Sequence, residues 1–142
     1  MLSLIENATD VRKHWSEFVD TVAIEQKPKV VSRNNKHPFL SISLAQVATL
    51  LHAYQFNVTI EQEEDGTYSV DLDQFDLFAN ADTVEAAYKE LANDLVEYAQ
   101  EYIENIQTYY AAPNRTNHLP YIMRVLMQED LDSVVHLFNA DV

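Results

Sequence analysis

The chain has 142 residues, of which 47% are hydrophobic, and its formal net charge is −14. Because it contains no cysteine and a single glycine, Gly66, its composition excludes disulfides, thiol nucleophiles, cysteine-bound metals and glycine-rich phosphate loops. No apolar run approaches the ~18 residues that span a bilayer, and the first residues lack the pattern of a secretion signal, so we expect a cytoplasmic protein with no membrane partner.

The charge is divided unevenly along the chain. Residues 1–50 carry six basic and five acidic side chains, whereas residues 51–142 carry three basic and eighteen acidic ones. A division this steep predicts two surfaces for two partners of opposite sign. The first part could contact a polyanion, and the acidic remainder would repel one and attract a basic protein.

Residues 1–55 are predicted to form a strand, a helix, a hairpin and a second helix. Residues 2–5 favour a short edge strand, and Asn7 is the predicted N-cap of a helix that runs to about Ile24. The apolar positions of this helix follow one stripe: Val11, Trp15, Phe18, Val19 and Val22. Residues 29–33 and 38–42 flank the turn-forming Asn34 and Asn35, and Ser43 with Gln46 has the spacing of a capping box.

This part resembles the N-terminal domain of prevent-host-death (Phd/YefM) antitoxins. The resemblance rests on Thr9-Asp10-Val11-Arg12, on the segment from Val30 to Lys36 and on Ile42-Ser43-Leu44. In that family, an arginine of the first helix and an arginine before the hairpin turn bind operator DNA across a homodimer. The resemblance implies these roles for Arg12 and Arg33, with Lys13, Asn34, Asn35 and Lys36 as neighbours. Asn35 stands where the family usually has glycine.

The basic residues also have a simpler interpretation. Arg12 and Lys13 could be solvated helix residues, and an excess of one basic charge per chain is a weak footprint for a polyanion. A symmetric dimer would double the basic surface and space it for two half-sites. The prediction of DNA binding therefore rests on the family resemblance and on the expectation of a dimer.

Residues 56–142 are predicted to form an acidic α+β module. Strands at residues 56–60 and 68–72 flank the turn signal Asp65-Gly66, and a short strand is expected at residues 75–79. Asp82 is the predicted N-cap of a long helix, with Glu85 completing the capping box. Its wide apolar face must pack on a sheet, a helix or a second chain: Val84, Ala87, Tyr88, Leu91, Leu95, Tyr98, Ala99, Tyr102, Ile103, Ile106 and Tyr109.

Residues 56–105 look like the antitoxin module of the HicB type, which has a degenerate RNase-H-like fold. The matching pieces are Tyr68-Ser69-Val70 and Asp82-Thr83-Val84-Glu85-Ala86-Ala87. The usual proline–glycine loop is replaced by Asp73-Gln74-Phe75-Asp76. The resemblance implies that this module, of HicB or RelB kind, binds the toxin.

Three carboxylates, Asp71, Asp73 and Asp76, also suggest a metal site, since clustered carboxylates bind Mg²⁺ or Ca²⁺. The EF-hand pattern is not met, and an alternating strand places Asp71 and Asp73 on one face that is most often solvated. The five histidines show no ligand spacing. We therefore predict no metal, no cofactor and no catalytic residue, and a metal-dependent nuclease is only a distant alternative.

The last segment is predicted to be helical, with Pro120 in its first turn. Glu129-Asp130 interrupts the apolar pattern, so two short helices are equally compatible with it. This segment either covers the sheet or dimer interface, or docks the toxin as a helix in a groove. In the second case the docking residues would be Tyr121, Ile122, Val125, Leu126, Val134 and Phe138.

Together, these patterns predict an α+β protein with a DNA-binding dimerisation module at residues 1–55 and a toxin-binding module at residues 56–142. Its predicted function is that of a type II antitoxin, which neutralises a basic RelE-like RNA-cleaving toxin and represses its own operon. The main alternative is an acidic adaptor or inhibitor that dimerises but does not bind DNA.

Overall fold

A computed structural model describes the backbone of residues 5–141 and the side chains of residues 5–139. The chain divides into two compact units, here called unit 1 (up to Leu50) and unit 2 (from Leu51). The strand predicted at residues 2–5 is described only at Ile5, and its other positions lie outside the described residues. Within the described part, no helix combines the length and the apolar character needed to cross a membrane.

Unit 1 has the predicted order of strand, helix, hairpin and helix. Its elements are β1 (Ile5–Asn7), α1 (Ala8–Lys13), α2 (Trp15–Val19), a π-helical turn (Asp20–Ile24), β2 (Lys29–Arg33), β3 (Lys36–Ser41) and α3 (Leu44–Leu51), whose last residue belongs to unit 2. The sheet order is β1-β2-β3, with β1 parallel and β3 antiparallel to β2. β1 is therefore an edge strand of this sheet, and it shares Ile5 with the predicted strand.

The first helix is not continuous. Asn7 caps it as predicted, because its Oδ1 accepts a hydrogen bond from the Thr9 amide at 2.9 Å. At His14, however, the backbone leaves the helical region (φ −122°, ψ 44°), so α1 and α2 are separate pieces. His14 is not a helix-breaking residue, which explains why the sequence does not reveal the interruption.

The hairpin turn confirms the sequence prediction. Asn34 and Asn35 adopt φ values of 50° and 63°, in the left-handed region that short polar side chains tolerate. β3 begins at Lys36, earlier than predicted, and Lys36 pairs with Arg33 across the turn. The turn is therefore flanked on both sides by a basic side chain.

Ser43 caps α3 as predicted, although Gln46 does not complete the capping box. The Ser43 Oγ accepts the Gln46 amide at 3.2 Å. The Gln46 side chain does not reach back to the Ser43 amide but donates to the Gln26 carbonyl at 2.8 Å. This bond fixes the start of α3 to the segment that follows the π-helical turn.

Unit 2 is an α+β fold. Its elements are β4 (Phe56–Gln62), β5 (Tyr68–Leu72), a 3₁₀ turn (Asp73–Phe75), β6 (Leu77–Ala81), α4 (Val84–Glu104), α5 (Ile106–Ala111), a second 3₁₀ turn (Thr116–His118), α6 (Leu119–Leu126), α7 (Leu131–Val135) and β7 (Phe138–Asp141). The sheet order is β6-β5-β4-β7; β5 is antiparallel to both neighbours, and β7 is parallel to β4. The predicted small antiparallel sheet is therefore a mixed sheet.

Several local predictions for unit 2 are confirmed. Gly66 has φ 87° in the β4–β5 turn, and the Asp65 carboxylate accepts the Thr67 amide at 2.9 Å. Pro120 lies in the first turn of α6. The segment after it forms the two-helix alternative, because Asp130 caps α7 by accepting the Ser133 amide at 2.8 Å.

Three other predictions are wrong. The N-cap of α4 is Thr83, not Asp82, because the extended backbone falls one residue later and the Thr83 Oγ1 accepts the Ala86 amide at 3.1 Å. Residues 75–76 belong to a turn rather than to the third strand, which is β6. Phe138 is not a helical position but begins β7, where it pairs with Phe56.

The core of unit 2 lies between the sheet and the helices. α4 contributes residues spaced by one turn, which is why they share one face. The buried residues are Phe56, Val58, Val70, Leu72, Phe75, Ala79, Ala87, Leu91, Ala92, Leu95, Ala99, Tyr102, Ile122, Val125, Val134 and Phe138. Alternate residues of the strands point to the opposite face of the sheet, and most of those are exposed.

Candidate functional site

The six residues predicted to bind DNA are all exposed in unit 1. Arg12 and Lys13 lie at the end of α1; Arg33, Asn34, Asn35 and Lys36 form the β2–β3 turn and its flanks. Among the described residues of this unit, the cationic side chains that form ion pairs are Lys27, Lys29 and His14. The charges of Arg12, Lys13, Arg33 and Lys36 are therefore not neutralised by a carboxylate within the described part of the unit.

The acidic residues of the first helix lie apart from Arg12. One groove is lined by Glu6, Asp10 and Glu17. Arg12 lies beside Trp15, Val31 and Phe39 in a different, apolar groove. Since Val31 is in β2, two residues before Arg33, Arg12 lines the same groove as the hairpin that carries Arg33 and Lys36. Neither arginine is sealed into an interior contact.

Next to these residues, unit 1 exposes a large amount of apolar surface. The predicted helical stripe is only partly covered: Val11 and Val22 are buried, whereas Trp15 is 59% exposed. Trp15 stacks on Phe18 with ring centroids 5.7 Å apart. The large hydrophobic residues exposed in this unit are Ile5, Trp15, Val19, Ile24, Phe39, Leu40, Leu44 and Leu50. Exposed patches of this kind mark interaction surfaces.

The residues predicted to dock the toxin do not form a surface. Four of them are buried in the core of unit 2: Ile122, Val125, Val134 and Phe138. Tyr121 packs against the rings of Phe56 and Phe75 at 5.4 and 5.3 Å. Of the six, Leu126 alone is substantially exposed, at 39%. Little of the predicted docking set is therefore exposed, because apolar positions at helical spacing here cover the sheet of their own unit.

A cluster of aromatic residues holds the chain between α5 and α6 against α4. The Arg115 guanidinium lies over the rings of Tyr109 and Tyr98, at 4.7 and 5.6 Å from their centroids. The Tyr102 hydroxyl donates to the Arg115 carbonyl at 2.8 Å. The cluster thus engages one of the few basic residues of unit 2 in an internal contact.

His118 belongs to the same cluster. Its Nδ1 lies 2.7 Å from the Tyr98 hydroxyl, and its ring is 4.6 Å from that of Phe75. Burial, and secondarily the charge of Arg115, lower the pKa of His118 below its usual value of 6.5. The imidazole is therefore neutral at pH 7, as expected of a packed side chain.

The three carboxylates considered as a metal site lie at the end of β5 and in the turn that follows. Burial raises the pKa of Asp71, and a hydrogen bond with Asp73 and the charges of Asp73 and Asp76 add to the effect. Within the part of the chain that the structure describes, no three His, Asp or Glu side chains are arranged to hold a metal ion. The nuclease alternative therefore gains no support from the geometry.

One exposed residue has a position that the sequence analysis did not use. Phe78 lies in β6 and is 58% exposed, although its neighbour Ala79 is buried. The alternation of a strand would have identified it, since Leu77 and Ala79 take the positions expected inside. An outward aromatic on a strand with no obvious structural role is a candidate for binding.

Comparison with known proteins identifies the family. No curated protein matches the chain. The chain is similar to the 1.80 Å crystal structure of an antitoxin part of a proposed toxin/antitoxin system from Syntrophomonas wolfei subsp. wolfei, with 34% sequence identity, a TM-score of 0.86 and coverage of 96% of this chain and 97% of that one. The family model for PHD-like antitoxins of RelE/RelB toxin–antitoxin systems matches residues 1–140, and so spans both units. The chain therefore belongs to this family of antitoxins.

Proposed function

We propose that this antitoxin forms a homodimer through unit 1, binds operator DNA with the basic residues of that unit, and neutralises a basic RelE-like toxin through unit 2. The observation that carries the proposal is the set Arg12, Lys13, Arg33 and Lys36. These side chains are exposed, have no carboxylate partner within the described part of unit 1, and lie in a unit with uncovered apolar surface.

The uncovered apolar surface supports dimerisation. Trp15 and Phe39 line one apolar groove and are each 59% exposed, and exposure of this extent is unfavourable for an isolated small domain. A symmetric interface would bury the same patch on both copies and would present each basic residue twice. Two basic sets related by a two-fold axis match the two half-sites of an operator.

Charge supports a basic toxin as the second partner. Residues 51–142 carry three basic and eighteen acidic side chains. A toxin that cleaves RNA has to bind phosphates and so presents a basic surface. Complementary fields would accelerate capture and favour the cognate partner, while buried contacts would supply most of the affinity.

The test for DNA binding compares Arg33→Ala with Lys89→Ala on the DNA upstream of the antitoxin gene. Both substitutions remove one exposed cation, but Lys89 lies in unit 2. We expect Arg33→Ala to weaken binding and to reduce the salt dependence by about one to two counterions per dimer, because each phosphate contact releases about one. Lys89→Ala should behave as the native chain.

The alternative is a dimeric acidic adaptor that binds the toxin without binding DNA. It is favoured by the five acidic residues of the first fifty, which leave only a small basic excess there. If the native chain binds the toxin but shifts no upstream DNA at low salt, alone or in complex, this alternative replaces the proposal.

A further inference from the structure

The sheet of unit 2 has one face that its helices do not cover. Val58, Val70 and Ala79 point into the core, so the alternate residues of the same strands point outward. The strand register places Thr59, Asp71 and Phe78 side by side, and Glu61, Ser69 and Asn80 in the next row. We call the face formed by these six residues, of which Ser69 is itself buried, the outer sheet face.

Phe78 is the prominent apolar residue of the outer sheet face. Its side chain is 58% exposed, while its immediate cross-strand neighbour is Asp71. Beside it, a shallow depression of about 720 Å³ is lined by Glu61, Glu63, Glu64 and Asn80. An aromatic anchor surrounded by a polar rim is the arrangement typical of an interaction hot spot.

The charge of this region is entirely negative. Residues 56–82 contain eight acidic and no basic side chains. The basic residues of unit 2 are engaged elsewhere or lie on helices: Arg115 stacks on tyrosines, Arg124 donates to the Tyr54 carbonyl at 2.7 Å, and Lys89 is on α4. Burial raises the pKa of Asp71, and the charges of the neighbouring Asp73 and Asp76 add to the effect.

This charge selects among the possible occupants of the outer sheet face. A second copy of the chain would bring the same acidic face and would be repelled, and a nucleic acid would be repelled as well. A cationic protein would be attracted, and a guanidinium could both stack on Phe78 and pair with a carboxylate such as Glu61.

We propose that the outer sheet face, centred on Phe78, is the surface on which unit 2 docks its basic toxin. The proposal rests on the proposed function and refines it, because it assigns docking to the sheet rather than to α6 and α7. The apolar ring provides the anchor, and the surrounding carboxylates pair with lysine or arginine side chains of the toxin.

The experiment measures, by isothermal titration calorimetry, the affinity of the full-length antitoxin for the purified product of the reading frame adjoining its gene, which we expect to be a RelE-like toxin. The test variants are Phe78→Ser and Glu61→Lys. Their controls are Leu126→Ser, which also replaces an exposed apolar side chain with serine, and Glu129→Lys, which makes the same charge reversal; both positions are exposed and lie at the end of α6 or just after it. Thermal unfolding checks that each variant is folded; Glu61→Lys, at an exposed position, still tests the surface if Phe78→Ser does not fold.

We expect Phe78→Ser to weaken binding by about 30-fold or more, as for a central aromatic hot spot. Glu61→Lys should weaken binding by about tenfold at low salt and by less at high salt, because salt screens its contribution. Each control should remain within about twofold of the native affinity, since a rim or remote side chain contributes little.

Three results would overturn the inference. If the controls weaken binding and the test variants do not, the toxin docks on the helices. If Glu61→Lys and Glu129→Lys weaken binding equally and Phe78→Ser has no effect, binding depends only on the net negative charge of unit 2 and not on the outer sheet face. If the native chain does not bind the toxin, the inference fails together with the toxin-binding part of the proposed function, whereas the first two results leave that part intact.

Discussion

The two units differ in how completely they bury their own hydrophobic residues. In unit 2, a core of sixteen buried residues lies between a four-stranded sheet and its helices. In unit 1, the buried hydrophobic residues among those described are four valines, Val11, Val22, Val30 and Val31, while larger side chains such as Trp15 and Phe39 are exposed. The difference indicates that unit 2 is stabilised by its own core, and it supports the proposal that a second copy covers unit 1.

The comparison also distinguishes apolar residues that stabilise their own unit from apolar residues that remain on its surface. In unit 2, the apolar residues of α6 and α7 that suggested binding belong to the core, and the outer sheet face is the surface proposed for the partner. In unit 1, the apolar residues that suggested a core are instead available for association. Helical spacing of apolar residues looks the same in both cases.

The largest effect is expected from Leu95→Ala in the middle of α4. Leu95 is fully buried, so its truncation should lower the free energy of unfolding of unit 2 by about 3 kcal/mol. Urea unfolding monitored by circular dichroism measures the change, which should not depend on protein concentration. A loss that shrinks as the concentration rises would mean that unit 2 also depends on association.

The next effect is expected from Trp15→Ser in unit 1. Removing an exposed tryptophan from a dimer interface should weaken self-association by about 2 kcal/mol, or roughly 30-fold in the dissociation constant. Sedimentation equilibrium of the full chain gives this constant. Tyr110→Ser is the control, because Tyr110 is 49% exposed in unit 2 and should not affect association. If the native chain stays monomeric at high concentration, the exposed apolar surface of unit 1 is not a dimer interface.

His118→Gln is expected to have a smaller effect, which appears as a change in how steeply the free energy of unfolding depends on pH. Because the pKa of His118 is lowered in the folded state, the unfolded chain binds a proton first as the pH falls below 6.5. Stability attributed to the neutral imidazole is therefore complete above pH 6.5 and is lost as the pH falls toward the folded pKa, with a slope of at most ~1.4 kcal/mol per pH unit.

Thermal unfolding between pH 7 and pH 5.5 compares the two chains. In the His118→Gln variant, stability should fall less steeply between pH 7 and pH 5.5, because the contribution of one imidazole is missing. Equal slopes in the two chains would show that the imidazole is not held neutral. His52→Gln is the control, because His52 is exposed.

The smallest effect is expected from Asp71→Asn on the outer sheet face. The raised pKa of Asp71 means that the folded chain holds the proton to higher pH than the unfolded chain, so the ionised carboxylate lowers stability at neutral pH. The substitution should therefore raise the free energy of unfolding at pH 7 by a few tenths of a kcal/mol, the size typical of cross-strand pairs. The gain should disappear near pH 3, and a loss at pH 7 would contradict the cause assigned here.

Local signals in the sequence predicted local structure well. Asn7, Asn34-Asn35, Asp65-Gly66 and Pro120 each act through their own side chain or backbone, and each is found where it was expected. The interruption at His14 was not predicted, since nothing in the residue itself disfavours a helix there. β7 was not predicted either, because four residues carry little periodicity and their partner strand, β4, lies far away along the chain.

The sequence by itself determined the Asn7 and Ser43 caps, the two hairpin turns and the division of charge, since each of these depends on residues adjacent in the chain or on composition. Only the tertiary structure decided which apolar side chains are buried. Phe138 enters the core, while Phe78 and Trp15 remain exposed, because burial depends on which distant elements pack over a residue. For that reason the candidate DNA-binding residues could be named from the sequence, whereas the candidate toxin-docking surface required the fold.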